Sequence, residues 1–155
     1  MIRKLTILLS VAVAAAAAVV LLQPTAARAD GPQITVHKTP WCGCCGDWVE
    51  HLRADGFDVT VQEHEDLGPI RTRLEVPMAL GSCHTAEVNG YAIEGHVPAS
   101  EVRRLLKERP EGVRGLSVPG MPVGSPGMEM GDRQDPYDVL AFGEDGTRVF
   151  RAYRP

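Results

Sequence analysis

Four cysteines constrain this 155-residue chain more than any other feature, because three are packed into Trp41-Cys42-Gly43-Cys44-Cys45 and the fourth stands far downstream in Cys83-His84. Cys-x-Cys, Cys-Cys and Cys-x-x-Cys spacings overlap in the first cluster. The 42/45 spacing lets two thiols face each other across the first turn of a helix, whose exposed N–H groups and positive dipole end stabilise a thiolate. A plain dithiol exchange centre needs only Cys42 and Cys45, and a third thiol between them competes for every mixed disulfide. Zinc wants four well-spread tetrahedral ligands, which three sulfurs within four residues supply poorly. Cu(I) is soft, favours thiolate and thioether sulfur, and suits closely spaced cysteines. The pattern therefore points to a site in which Cys42, Cys44, Cys45 and Cys83 share Cu(I), with thiolates bridging more than one ion. The competing reading is two structural disulfides, for which three pairings are open. The pairing 42/45 with 44/83 is the least strained, since bonding adjacent cysteines distorts the peptide. A cross-link closing so short a loop adds little stability, so a structural role explains the clustering poorly.

Other soft or borderline donors are scattered. In a regular strand Cys83 and His84 would point to opposite faces, so joint ligation would call for a bulge. His37 and His96 read as ordinary surface or hydrogen-bonded histidines, and His51 and His64 have no ligand pattern around them. Met121 and Met128 sit among Pro and Gly rather than helical apolar partners, which makes them weak Cu(I) donors in this reading, whereas Met78 and Met130 equally suit packing.

Local patterning supplies the scaffold. Ile34-Thr35-Val36 is a β-branched run stopped by Thr39-Pro40. Trp48, Val49 and Leu52 recur at helical spacing over 45–55, so the cysteines sit at a helix start, and Asp55-Gly56 ends it. Phe57, Val59 and Val61 alternate as in a half-buried strand. A second helix is expected over 67–74, then mainly extended chain over 78–88, with Val76-Pro77 as a candidate cis-proline. Asn89-Gly90 predicts a tight hairpin. A third helix is expected over 99–108, with Val102, Leu105 and Leu106 on one face, Ser100 as cap and Pro110 beyond the end. The order β-α-β-α-β-β-α, with Cys-x-x-Cys where the first helix begins, is an α/β, thioredoxin-like plan. Residues 112–131 hold six glycines, three prolines and three methionines without period and read as a loop. Alternation over 137–142 and 147–153 predicts a closing β-hairpin, so 112–155 is a C-terminal extension of a single domain.

The N-terminus reads as an export signal: Arg3 and Lys4, an uncharged run over 5–22, Pro24, and Ala27-Arg28-Ala29 before Asp30. Cleavage after Ala29 leaves 30–155 outside the cytoplasm, in the periplasm or an equivalent exported location. The alternative is an uncleaved membrane anchor, since the run is long enough to span a bilayer. Removing Arg3, Lys4 and Arg28 takes 16 basic residues to 13 against 20 acidic ones, a net of −7. That balance argues against nucleic acid and keeps an exported protein soluble.

Lys38-Thr39-Pro40-Trp41-Cys42-Gly43-Cys44-Cys45, Ser82-Cys83-His84-Thr85, Glu94-Gly95-His96-Val97-Pro98 and Val118-Pro119-Gly120-Met121-Pro122 together resemble the CopG-like copper-resistance family, long catalogued as a domain of unknown function. The resemblance covers nearly all of 34–130. It implies an exported, thioredoxin-like, copper-binding protein whose ligand cysteines fall at Cys42, Cys44, Cys45 and Cys83, with His84 carried by the Cys-His pair. The methionine loop matches at Met121 and Met128. Expected partners are copper ions and other periplasmic copper-handling or thiol-redox proteins. Expected chemistry is Cu(I) binding coupled to copper or thiol redox; the enzyme alternative is a thiol-disulfide oxidoreductase using Cys42 and Cys45.

Overall fold

Alternating burial drives the first strand: in β1 (Gln33–Lys38) Ile34 and Val36 are buried, and the computed structural model, which describes residues 31–155, runs β1 directly into the cysteine cluster. The expected export segment 1–29 lies outside the described residues. Helix α1 (Gly43–Ala54) buries Cys45, Trp48, Val49 and Leu52, the i, i+3, i+4, i+7 stripe that faces a core. Its end comes at Asp55, and Gly56 supplies the positive φ of 90° that turns the chain into β2 (Asp58–Glu63). Then follow α2 (Gly68–Arg73), a 3-10 turn (Met78–Leu80), β3 (His84–Val88), β4 (Tyr91–Glu94), α3 (Ala99–Glu108), β5 (Val113–Ser117), β6 (Tyr137–Gly143) and β7 (Gly146–Tyr153).

All seven strands form one mixed sheet in the order β2-β1-β3-β4-β5-β6-β7. β1 is parallel to β2 and β4 to β5; the other neighbours are antiparallel. Trp48, Val49 and Leu52 of α1 and Ala99, Val102 and Leu105 of α3 share one apolar cluster with Val36, Ala86, Ile93, Leu116 and Val139 of the sheet. The opposite face of β1 and β3 is polar, while Ala92 of β4 lies in a second, smaller apolar cluster with Val76, Leu80 and Phe142. There α2 buries none of its residues and is held by ion pairs from Arg71 to Glu94 and from Arg73 to Glu87.

Four expectations need correction. Residues 113–117 are not loop: β5 lies between β4 and β6, and its Gly115 is required because a Cβ there would run into the Ala92 carbonyl and the Phe142 ring. A glycine that reads as a loop signal in sequence is here a strand position with no room for a side chain. The stretch after Val76 begins with a 3-10 turn rather than extended chain. No peptide bond among the described residues is cis, so Val76–Pro77 is trans. Finally, Ser100 does not cap α3; its first turn is held by the His51 ring, whose Nε2 accepts from Ala99 N–H at 3.0 Å. The Asn89-Gly90 hairpin forms as expected, with φ of 47° and 85°. Among the described residues no helix is long and apolar enough to cross a membrane.

Candidate metal centre

Cys42 is the N-cap of α1 in extended conformation, its N–H donating to Thr39 O at 3.2 Å, so Cys44 and Cys45 fall in the first helical turn. The N-cap makes no side-chain cap bond and the first turn carries no acidic residue. The positive end of the helix is thus left facing sulfur. Cys45 is fully buried, whereas Cys44 and Cys83 are half-buried. Cys83 stands in the bend before β3 and arrives beside them: Cys44 Sγ lies 3.7 Å from Cys42 Sγ and 4.0 Å from Cys83 Sγ, and Cys45 Sγ lies 3.7 Å from Cys83 O. All four sulfurs fall within 4.8 Å of one another. Cys42 and Cys45 are joined as a disulfide and Cys44 and Cys83 are free thiols, so only half of the two-disulfide arrangement is present.

A second group overlaps the first at Cys83. Its sulfur lies 3.4 Å from His84 Nδ1 and 3.0 Å from His96 Nε2, and the three donor atoms are mutually within 4.8 Å. Because Cys83 precedes the strand and only His84 belongs to it, strand alternation does not separate the two side chains, and no bulge is needed. His96, set aside in the sequence as an ordinary histidine, is fully buried; its Nδ1–H donates to Pro126 O at 2.7 Å, which leaves the Nε2 lone pair directed at Cys83. Fixing one ring nitrogen with a carbonyl so that the other is free to ligate is the usual outer-shell arrangement of a metal-binding histidine. His84 packs against Trp48 at 4.3 Å between centroids with the rings tilted by 35°, and meets His96 edge-on at 4.9 Å; its Nε2 is buried without a hydrogen-bond partner.

The Cys83 loop is clamped from the polar face. Arg71 Nε donates to Glu94 Oε1 at 2.9 Å and Arg71 Nη2 to Ser82 O at 2.5 Å, while Ser82 N–H donates to Glu94 Oε1 at 2.6 Å and Thr85 Oγ1 to Glu94 Oε2 at 2.5 Å. The Gly/Pro/Met loop closes over the site at two glycines. Gly120 N–H meets Gly81 O and Ser82 Oγ donates to Gly120 O. Gly127 lies against the start of α1, where a Cβ would come within 2.9 Å of Cys44 O and 2.8 Å of Trp48 N. Met121 and Met128 follow these glycines in sequence, Met121 53% exposed and Met128 half-buried. A groove of about 510 Å³, lined by Trp41, Leu67 and Arg71, opens onto Cys42 and Cys83.

Residues 80–128 match the family profile described as "Protein of unknown function, DUF411". Two solved structures, named "Copper resistance protein copG- Form 2" and "Copper resistance protein copG- Form 1", are 45% and 46% identical to this chain; each comparison covers 81% of this chain and 100% of the other with a TM-score of 0.76. The chain belongs to the CopG-like copper-resistance family. No curated protein matches it. The mixed α/β architecture, a seven-stranded sheet and three helices among the described residues, is accordingly similar to that of CopG.

In this CopG-like fold the electrostatics of the site favour neutral, lone-pair-bearing groups. Burial pushes the Cys83 thiol up to about 12, with the neighbouring Cys44 adding to it. Burial also holds His84 well below the ordinary imidazole range, helped by His96, and lowers His96 itself. A soft cation held by these residues would replace the thiol proton and supply the charge that the pocket lacks. Sequence reasoning missed the roles of His96, Glu94 and Arg71. The only signal for His96 was its place in Glu94-Gly95-His96-Val97-Pro98, where Gly95 has a φ of 72° and no room for a Cβ beside Ser82 and Val118 O.

Proposed function

We propose that this protein is an exported copper-binding protein of copper resistance in which Cys42, Cys44, Cys45 and Cys83 hold Cu(I) as a thiolate cluster, with His84 and His96 completing the coordination. The observation that carries this reading is the convergence of four sulfurs within 4.8 Å of one another, sharing Cys83 with two buried imidazoles. Soft sulfur with borderline nitrogen is a donor set for Cu(I). Six donors in so small a volume exceed what one low-coordinate ion uses, which favours bridging thiolates and more than one ion. Met121 and Met128, in the loop whose Gly120 and Gly127 meet the Cys83 bend and the start of α1, would serve as weaker thioether donors for ions entering or leaving. The N-terminal segment 1–29 acts as the export signal, and 30–155 is one thioredoxin-like unit in which the β2-β1-β3-β4 order and the helix-start cysteines support the assignment. Its location is then the periplasm or an equivalent exported space.

The Cys42–Cys45 disulfide supports a coupled redox role. Closing it from two thiols releases two electrons and two protons, which match the reduction of two Cu(II) to two Cu(I). The competing reading, thiol-disulfide exchange at Cys42 and Cys45, draws on the same bond. It explains neither Cys44 nor the two imidazoles at Cys83, and the trans Val76–Pro77 bond removes one feature expected of such an exchanger.

The test is an anaerobic titration of the fully reduced protein with Cu(I), followed by counts of metal and free thiol. Two or more ions per chain, lost when any one of the four cysteines is changed to Ser, is the expected result. At most one ion per chain would defeat the polynuclear form. Failure to bind copper, with disulfide turnover that needs only Cys42 and Cys45, would favour the exchange reading.

A further inference from the structure

On the polar side of the sheet a second set of imidazoles faces away from the thiol site. His37 on β1 is paired in register with Thr85, and Lys38 with His84, so His37 and His84 project from opposite faces. His37 is 2% exposed, and its ring spans two polar contacts. Nε2 lies 2.9 Å from Glu87 Oε1, and Nδ1 lies 3.0 Å from Nε2 of His64, a half-buried residue just beyond β2. Glu87 is gripped by both terminal nitrogens of Arg73 at 3.0 Å. Paired on both oxygens with the Arg73 guanidinium, the Glu87 carboxylate acts as an acceptor towards His37. His37 Nε2 therefore carries the hydrogen and Nδ1 presents a lone pair to His64. This is the carboxylate–histidine relay that orients a metal ligand, built here on two residues the sequence left without a role.

The geometry points to a second metal site at His37 Nδ1 and His64 Nε2, nitrogen-based and distinct from the thiol cluster, suited to a divalent tetragonal ion such as Cu(II). With metal–nitrogen bonds of about 2.0 Å, two nitrogens 3.0 Å apart subtend about 97° at the ion. That separation, now spanned by the hydrogen bond between the rings, brings both nitrogens within reach of one ion. Imidazole nitrogen suits Cu(II), which leads the divalent series in affinity. The half-exposed edge of His64 leaves the remaining positions to water. On binding, the proton that His64 Nε2 donates to His37 passes to His64 Nδ1, so both rings ligate as neutral imidazoles. No sulfur is involved, so a cupric ion held here is not reduced by its own ligands.

The test uses the full folded chain with the Cys42–Cys45 disulfide closed and Cys44 and Cys83 alkylated, titrated with Cu(II) at neutral pH. The thiol cluster is then out of action, so the outcome is independent of whether that cluster binds Cu(I). Expected are one bound Cu(II), an axial EPR spectrum split by two nitrogens, and paramagnetic broadening of the His37 and His64 ring protons at substoichiometric copper. His64→Ala should weaken binding at least tenfold with an unchanged far-UV circular dichroism spectrum. Binding by His64→Ala within threefold of the parent, or broadening centred on His84 and His96, would overturn the proposal and leave the contact as a hydrogen bond between two rings. Should His64→Ala fail to fold, the broadening in the unmodified sequence decides by itself.

Discussion

At the scale of single residues, the site depends on groups that are not themselves sulfur. His96 links Cys83 to the Pro126 carbonyl. His96→Ala removes a candidate ligand and leaves that carbonyl buried without a donor, costing about 1–3 kcal/mol of stability. Loss of an oriented ligand or its support typically lowers metal affinity about 10- to 100-fold. Denaturant unfolding of the metal-free protein and competition for Cu(I) measure the two effects separately, and Cu(I) affinity unchanged in His96→Ala would remove the histidine from the site. Gly127 is the second such residue. With φ at +82° and no space before Cys44 O and Trp48 N, Gly127→Ala combines left-handed strain of about 1–2 kcal/mol with a backbone clash. A fall in thermal midpoint and loosening of the loop over Cys44 are expected. The cysteine clustering was plain in the sequence. The usefulness of His96 was not, because its spacing from any cysteine is arbitrary until the chain folds.

At the scale of elements, α1 and α3 are coupled through a histidine that carries no ligand pattern. His51 near the end of α1 accepts from Ala99 N–H and so takes the place of an N-cap side chain on α3. Removing a cap costs about 0.5–2 kcal/mol, and His51→Ala should lose an amount in that range. Burial lowers the His51 pKa from 6.5, against the opposing pull of Asp55 and Glu129. The unfolded chain therefore binds more protons than the folded one below that value, and this contribution is fully present above about pH 6.5 and lost as pH falls through the lower folded pKa. Stability measured from pH 7.5 down to 5 should decline more steeply in the parent than in His51→Ala; parallel curves would exclude the cap as the cause. The helix positions themselves were legible from apolar spacing. The cap was not, since Ser100 satisfies the local rule and only the packing of α1 on α3 brings a better acceptor to Ala99.

At the scale of the whole molecule, the C-terminal hairpin completes the sheet rather than hanging from it. β6 pairs with β5, and Val139, Ala141 and Phe142 are buried. A chain ending at Gly131 would expose the β5 edge and these contacts, so it should be largely unfolded or aggregated, as circular dichroism and gel filtration would show. The ion pair that holds α2 to β3 is sensitive to acid. Glu87, held at about 2 by Arg73, contributes stability that is complete above its ordinary value of 4.5 and is lost as pH falls towards 2. Glu87→Gln should flatten the acid limb of the stability curve between those values. Opening the Cys42–Cys45 disulfide should matter less: a loop of four residues removes so little unfolded-state entropy that reduction costs about 2 kcal/mol at most.

Local chemistry in the sequence determined that three thiols begin a helix, that Asn89-Gly90 makes a hairpin and that α1 and α3 turn apolar stripes inward, because each depends on residues a few positions apart. Tertiary structure alone decided that 113–117 is a strand, in which Gly115 leaves room for the Ala92 backbone and the Phe142 ring. It also decided that Cys83 meets Cys44 across 39 positions, and that a loop glycine and a carbonyl at 126 hold the pocket closed. Ligand geometry is a matter of separations of a few ångströms between side chains distant in sequence. No local rule encodes such separations, and a packed sheet and its covering helices do.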